Sequence, residues 1–384
     1  MTFDVETLRA REFPWAARGE AIYLNNASTG PLPQRSLDAQ AAFNAARAEP
    51  FRITEEMQFG TLARARELVA RLIGATPDTI ALAVNTNFGI NLAAFALPLQ
   101  RGDVVLAPDL EFPANVYPWM ALAQRRGVVY RRLPVRDGVL DEDALLRELD
   151  QGPVKAVALS WVGFATGYRA DLAAIGRACH ARGAYLIVDG IQGLGACTLD
   201  VAACHVDILA CGAQKWLLAP WGSGFVYVRD ALLGALEPNV VSWMAVRDSD
   251  DFSRLLDYDL SWRDDARRFE QITLPYQDFA GFVASLELLH ELGPEAIACH
   301  VADLAEMIVA WAEHRHDVEL ISPRARHKRA GIVALKPRDA ERVSRRLSDA
   351  RVTHSLREGM IRLSPHCYNT RDEIERTLAV LDAS

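Results

Sequence analysis

Two short apolar runs end in residues able to do chemistry. Residues 184–192, AYLIVDGIQ, set Asp189 at the end of a strand-like run, with Gln192 just beyond it. Residues 206–216, VDILACGAQKW, repeat the pattern and lead to Lys215 between Gln214 and Trp216. If both runs are strands of one sheet, a carboxylate, an amide and an amine meet at one rim. Taken singly, each residue has a bland reading: Asp after a strand is a turn former, and a lone lysine is usually solvated. At corresponding strand ends, in an apolar and Gly-bearing setting, the pair points to function. Lysine is also scarce. Of 42 Lys and Arg residues only Lys155, Lys215, Lys328 and Lys336 are lysines, leaving 38 arginines. Genomic base composition accounts for the bias, yet it makes a lysine inside an apolar motif less incidental.

Two further segments follow strand-like runs. In 83–91, AVNTNFGIN, residues Asn85, Thr86 and Asn87 precede a helical stretch through Leu92 and Phe95. Free backbone N–H groups at a helix start, with a hydroxyl and an amide beside them, make an anion site; ordinary helix capping is the equal alternative. In 108–119, PDLEFPANVYPW, Phe112 puts an aromatic ring at an otherwise polar rim, where a core-edge aromatic is the plain alternative. An anion site, an aromatic plate, an Asp and a Lys on successive strand ends describe one ligand: a phosphorylated aromatic aldehyde with a basic ring nitrogen.

The elements that must position these residues are legible as a series. Apolar runs at 79–84, 103–107, 128–133, 155–160, 184–188, 206–210 and 223–228 read as strands buried on both faces. Helix-like segments such as 115–126 and 171–182 lie between them, and Leu62, Ala65, Leu68, Val69, Leu72 and Ile73 form a helical stripe. Strands alternating with helices predict an α/β fold with a seven-stranded, mainly parallel sheet sandwiched by helices. Such sheets bind ligands beyond the C-terminal ends of their strands. Residues 245–268 are charged and irregular, a loop or crossing. From about 277 helical patterns dominate, with strand-like pieces near 331–336 and 360–364, as in a smaller α+β C-terminal domain. The predicted division is 1–30 as an N-terminal segment packing with the small domain, 31–265 as the large ligand-binding domain and 266–384 as the small domain.

Composition sets bounds on function. The 384 residues exceed a typical single-core domain. Half are hydrophobic, and the net charge of −8 gives no support to nucleic-acid or acidic-membrane binding. Six cysteines without a CxxC pair point to a reduced state and a cytoplasmic location. The opening MTFDVETLRAREF lacks an apolar signal region, and no run approaches a membrane span. Histidines and cysteines lack metal-ligand spacing, so no metal is expected.

The wording of these segments resembles fold-type I pyridoxal-phosphate enzymes of the class V aminotransferase family, a group that includes cysteine desulfurases, kynureninases, isopenicillin-N-epimerase-like proteins and C–S lyases. The resemblance runs from YLNNASTGPLP (23–33) to MIRLSPHCYNTRDEI (360–374) and is most specific from VDGIQGLG to GSGFVYV. It implies pyridoxal 5′-phosphate held by Lys215 as a Schiff base, with the freed amine then moving the Cα proton. Asp189 would keep the pyridine nitrogen protonated, so that the ring is an electron sink. Gln192 would bond the 3-oxygen, Phe112 would stack on the ring, and Thr86 and Asn87, with Gln214, would hold the phosphate. Thr273 matches a residue that reaches the partner's phosphate, which implies a homodimer with active sites at the interface. Arg362 matches the arginine that clamps a substrate α-carboxylate. Asn26 and Ser28 would line the substrate pocket, narrowed by Trp161 where the family often has an asparagine.

The departures narrow the reaction. Phe112 stands where many desulfurases have histidine, and residues 345–361 contain no cysteine; Cys367 comes after Arg362. A persulfide-forming desulfurase of the usual kind is disfavoured. The expected function is a PLP-dependent enzyme acting at Cα of a small amino acid, an aminotransferase first, with C–S lyase, epimerase or kynureninase-like hydrolase as alternatives. A nucleotide-binding α/β protein without this cofactor is the remote alternative: GLGACT (193–198) supplies only two glycines of a dinucleotide fingerprint and no Walker A sequence occurs.

Overall fold

The structure is a computed structural model describing residues 3–136 and 138–382. Seven strands form the main sheet: β1 (Ile80–Leu82), β2 (Val104–Pro108), β3 (Val129–Leu133), β4 (Val154–Ser160), β5 (Tyr185–Asp189), β6 (Ile208–Gly212) and β7 (Gly224–Val228). Their order in space is β1-β7-β6-β5-β4-β2-β3. Only β7 runs against its neighbours. All seven apolar runs read from the sequence are strands of this sheet.

Alternate residues of each strand enter two different cores, the consequence of a side-chain period of two. Leu106, Val157, Leu159, Leu186, Val188 and Leu209 face one layer. Val105, Ala156, Ala158, Ile187, Ile208 and Ala210 face the other. Helix α1 (Thr61–Ile73) closes the first layer with Leu62, Ala65, Leu68, Val69 and Ile73 buried; it stops at Gly74, whose φ of 67° suits a residue without Cβ. Helix α2 (Thr86–Ala96) closes the second with Ile90, Ala93 and Ala94.

One expectation is corrected. Residues 128–133 were predicted to be buried on both faces, but β3 is the open edge and most of it is exposed, Arg131 and Arg132 included. Charged residues on an edge discourage pairing with another chain. At the opposite edge β1 is buried, because Ala266–Phe269 covers it and the Glu270 carboxylate accepts its Leu82 N–H at 2.8 Å.

A second sheet lies in the C-terminal part: β8 (Val318–Leu320), β9 (Val333–Pro337), β10 (Ser355–Arg357) and β11 (Met360–Leu363), antiparallel in the order β8-β9-β11-β10. Helices Pro294–Glu313, Ala340–Asp349 and Arg371–Asp382 cover it through Ile308, Leu347 and Ile374. The N-terminal segment adds to this part: Ile22–Tyr23 pairs with Val352–Thr353, and Asn25 bridges to Ser364. Helix Tyr276–Leu292, beyond the expected boundary at 266, packs instead on Gln34–Ala48 and α1 of the large part. Residues 241–265 are irregular, as their charge pattern implied.

Candidate active site

The C-terminal ends of β2, β4, β5 and β6 meet the start of α2 at one rim. Asp189 is the last residue of β5 and pairs in register with Ser160, the last residue of β4. Beyond β6 the chain turns back on itself: Ala213 N–H donates to Ser223, Ala219 N–H to Ala213 and Leu218 N–H to Lys215. This turn sets Lys215 three residues past the strand. Gly30 presses on it from the N-terminal segment, its N–H donating to the Gln214 carbonyl at 2.9 Å. A Cβ on Gly30 would lie 2.0 Å from the Lys215 carbonyl oxygen, so only glycine fits that approach.

The Lys215 amine sits 5.6 Å from the Phe112 ring centroid. Burial pushes its pKa down from 10.5 to about 8; Asp189 opposes the shift, and Arg362 and Arg357 add to it. Burial raises the Asp189 carboxyl to about 6, opposed by the Ile191 N–H and by Lys215. Among the described residues neither group has an ion-pair partner within 4.0 Å. One Asp189 oxygen accepts the Ile191 N–H at 2.9 Å, and no donor among the described residues bonds the other. A desolvated amine and a desolvated carboxylate thus share one rim, with an aromatic ring near the amine. Phe112 is 39% exposed and is steadied edge-on by Phe164 at 5.5 Å.

At the start of α2, Asn85 caps the helix by accepting the Phe88 N–H, so ordinary capping accounts for this residue. The next residue, Thr86, is buried and its hydroxyl oxygen accepts the Gly212 N–H at 2.8 Å, tying the helix start to β6. Its O–H proton remains for another acceptor. Asn87 is exposed, and its carbonyl accepts from Asn91. Gln214 is half-buried on the Lys215 turn.

Arg362 on β11 is buried, yet no carboxylate among the described residues pairs with it. Its guanidinium donates to the Phe164 carbonyl at 2.6 Å and to Ser28 Oγ at 2.9 Å, and its Nε has no partner. Burial, with Arg357 nearby, lowers its pKa to about 10. A buried cation without an anion is costly unless a ligand supplies one.

Other expected residues have different surroundings. Asn26 does not open toward the pocket: its amide donates to the Ser364 carbonyl at 2.7 Å and accepts the Tyr368 hydroxyl at 2.9 Å, so both ends are used to pin the N-terminal segment. Trp161 is 4% exposed and lies over Gly193, where a Cβ would come within 2.2 Å of the indole; it fills the core rather than the pocket mouth. Gln192 is buried, donating to the Ala27 carbonyl and accepting the Trp216 indole N–H, with one amide proton left. Thr273 is exposed on the loop before Tyr276–Leu292.

The structure adds residues the sequence reading passed over. Ser160 and Glu111 stand beside Asp189, and Phe164 and Arg357 stand beside Arg362. The rule that singled out Asp189, a polar residue ending an apolar strand, applies equally to Ser160. His366 is fully buried, its Nε2 donating to the Trp216 carbonyl at 2.9 Å while Nδ1 accepts the Cys367 N–H. Cys367 is fully buried and burial pushes its thiol far up, so it is no ready nucleophile. No group of three metal-ligating residues occurs among the described residues, and none of their helices is long and apolar enough to cross a membrane.

The chain is similar to known proteins over most of its length. An aminotransferase of Bacillus subtilis, YcbU, itself uncharacterised, is 30% identical over 82% of this chain and 81% of its own. Isopenicillin N epimerase of Streptomyces clavuligerus is 30% identical over 94% of each chain. The cystine C–S lyase C-DES superposes with a TM-score of 0.86 at 26% identity, covering 96% of this chain and 99% of its own. A variant of C-DES, 25% identical over 97% and 98%, carries glycine covalently linked to its PLP cofactor. Residues 22–377 match the family description Aminotransferase class-V. The chain belongs to the aminotransferase class V family.

Proposed function

We propose that this protein is a pyridoxal 5′-phosphate enzyme acting at Cα of a small amino acid, with transamination as its reaction. The observation that carries the reading is the set of uncompensated groups at one rim: the lowered Lys215 amine, Asp189 with an unclaimed oxygen, and the buried Arg362 without an anion. These residues fit the cofactor. Asp189 would face its ring nitrogen, Phe112 its ring, Thr86 and the start of α2 its phosphate, and Lys215 its aldehyde. Asn87, Gln214 and Gln192 would add polar contacts to its phosphate and 3-oxygen. When bound, the cofactor supplies an electron sink for charge developing at the substrate carbon.

The chain's own residues do the rest. Arg362 and Ser28 hold the substrate carboxylate and so fix which Cα bond points at the ring face. Lys215, with its pKa brought near neutrality, takes and returns the Cα proton. Phe112 and Phe164 exclude water from one side. Asn26 and Trp161 serve the pocket from behind, one by pinning the segment that carries Ser28 and the other by packing under Gly193.

Epimerisation is the second reading, favoured by an isopenicillin N epimerase matching nearly end to end. C–S bond cleavage without a persulfide cysteine is a third outcome of the same test. Borohydride reduction of the holoenzyme should fix the cofactor to Lys215, read by mass spectrometry. A panel of amino acids then separates the reactions: pyridoxamine phosphate formation marks transamination, loss of optical activity marks epimerisation, and pyruvate with sulfide marks lyase chemistry. A colourless protein after saturation with the cofactor refutes the whole reading.

The working unit we propose is a homodimer in the cytoplasm. Phe51, Trp221, Leu256 and Tyr258 are between 71% and 88% exposed, apolar side chains that a partner subunit would cover. Thr273 is exposed as a residue serving a neighbouring site would be. All six cysteines are free. Sedimentation showing an active monomer overturns the dimer.

A further inference from the structure

Behind Asp189 lies a second carboxyl group that the roles above leave unused. Glu111 follows β2 and immediately precedes Phe112. Its Oε1 accepts the Ser160 N–H at 2.7 Å, and its Oε2 accepts the Ser160 hydroxyl at 2.5 Å and the Asn115 amide at 3.2 Å. Asn115 is itself held by the Trp119 indole N–H at 3.1 Å. Ser160 is the in-register neighbour of Asp189. The two carboxyls therefore flank the ends of β4 and β5, one on each side of Ser160. Glu111 and Ser160 also line a cavity of about 30 Å³ with Gly163, Thr166 and Tyr168. That is room for one water among polar groups.

The groups facing Glu111 are few. Among the described residues Asp189 is the ionisable group whose charge raises it. Tyr130, from β3, has a buried hydroxyl without a partner, and burial, helped by Glu111 and opposed by Arg132, lifts its phenol to about 12, outside the neutral range. Lys215 acts on Asp189, and Asp189 in turn on Cys211, while neither Lys215 nor Cys211 acts on Glu111. No cation pairs with Glu111 among the described residues. Two neighbouring carboxyls in a desolvated setting cannot both ionise at low cost. Glu111 is raised accordingly to about 7, by burial first and by Asp189 in addition, against the pull of the Ser160 hydrogen bonds.

We propose that Glu111 is a positioning residue for the cofactor: a second carboxyl that keeps its proton until the cationic ring nitrogen pairs with Asp189, and then gives it up through the small cavity. The inference rests on the reading that Asp189 faces that nitrogen. The step is a proton transfer alone. In the neutral form the proton sits on Oε2 and is donated to Ser160 Oγ across the 2.5 Å contact; that O–H bond breaks, the proton passes to water, the Ser160 hydroxyl turns to donate instead, and the carboxylate left behind adds a second negative charge that holds the ring protonated. The same side chain fixes the backbone that carries Phe112, so ring stacking and ring charge are set by one residue.

Apo-protein titrated with pyridoxal 5′-phosphate between pH 5.5 and 8.5 tests this, comparing wild type, Glu111→Gln and Ser160→Ala. Affinity is read from cofactor absorbance, and proton release from calorimetry in buffers of different ionisation enthalpy. A cation that lowers Glu111 by one unit makes the ratio of wild-type to Glu111→Gln affinity grow about tenfold as pH rises across this range. Near pH 6.5 the wild type should release roughly half a proton more per site than Glu111→Gln. Titration of Lys215 and the cofactor phosphate is common to both proteins and divides out, while the coupling of Asp189 to Glu111 is part of the difference that is read. Ser160→Ala removes a donor to the carboxylate, so its step should move to higher pH. An affinity ratio independent of pH, or equal proton release, overturns the proposal even if Glu111→Gln is less stable. Absence of cofactor binding in all three proteins overturns the assignment of Asp189 first, and this inference with it.

Discussion

Lys215 and Arg362 are both cations kept in places where water solvates them poorly, and each makes a prediction. In the apo-protein the Lys215 amine should react with an acylating reagent with a midpoint near pH 8 rather than 10.5, since burial disfavours its charged form. Labelling followed by peptide mapping across pH checks this; a midpoint near 10.5 contradicts the buried environment. For Arg362, the absent anion has the opposite consequence for folding and for binding. Arg362→Met removes an unpaired buried charge and should leave stability within about 1 kcal/mol of wild type. Binding of a carboxylate substrate should weaken by about 100-fold or more, because a charge-assisted bidentate contact is lost. Denaturant melts and substrate titration by cofactor absorbance measure the two effects. A large loss of stability with unchanged affinity would make Arg362 a structural residue. Arg362→Lys should recover little, as an ammonium cannot reproduce the planar fork.

At the scale of elements, the site depends on a turn clamped by its neighbours. The N-terminal segment crosses the Lys215 turn at Gly30, and a methyl group there meets backbone rather than a movable side chain. Gly30→Ala should cost about 1–3 kcal/mol in stability, the usual range for overpacking. It should also weaken cofactor binding, since the turn is displaced at the lysine itself. Thermal melts and cofactor titration test both, and an unperturbed variant shows that the segment does not hold the turn. Thr86 performs the corresponding service for α2, joining the helix start to the end of β6 through the Gly212 N–H. The helix that presents its N-terminus and the strand that leads to Lys215 are therefore fixed to one another rather than placed independently.

For the whole molecule, His366 links the two sheets. It follows β11 of the small sheet and bonds the Trp216 carbonyl beside Lys215. Its neutral form is required, because Nδ1 accepts the Cys367 N–H while Nε2 donates, and burial lowers its pKa from 6.5 to about 4. The sign follows directly. Below pH 6.5 the unfolded chain takes up this proton before the folded one, so the histidine's contribution is full above 6.5 and is lost as pH falls toward 4. Between pH 7 and 4.5 wild type should lose about 2–3 kcal/mol more stability than His366→Gln, which has no such titration. Urea unfolding at both pH values measures the difference; parallel losses would show that the histidine is not held neutral. Raised carboxyls such as Asp189 shift stability in the other direction and are shared by both proteins.

The sequence by itself determined the architecture and the chemical types at the rim. Strands buried on both faces must be continuous apolar runs, and the residues that end such a run or follow it closely lie at the rim; hence Asp189, Lys215 and Thr86 were legible by their polarity and Phe112 as an aromatic in a polar stretch. The resemblance added Arg362, which one arginine among 38 could not declare. What only the tertiary structure decided was partnership. Whether an amide is spent or available depends on atoms hundreds of residues away: Asn26 is used up by Ser364 and Tyr368, while Arg362 is left without an anion. Trp161 became core because Gly193 makes room for its ring. Residues 128–133 became an edge because strand order, unlike strand identity, is set by which surfaces remain to be covered. Glu111 beside Asp189 could not be seen in one dimension, because a carboxyl's proton is governed by its neighbours in space.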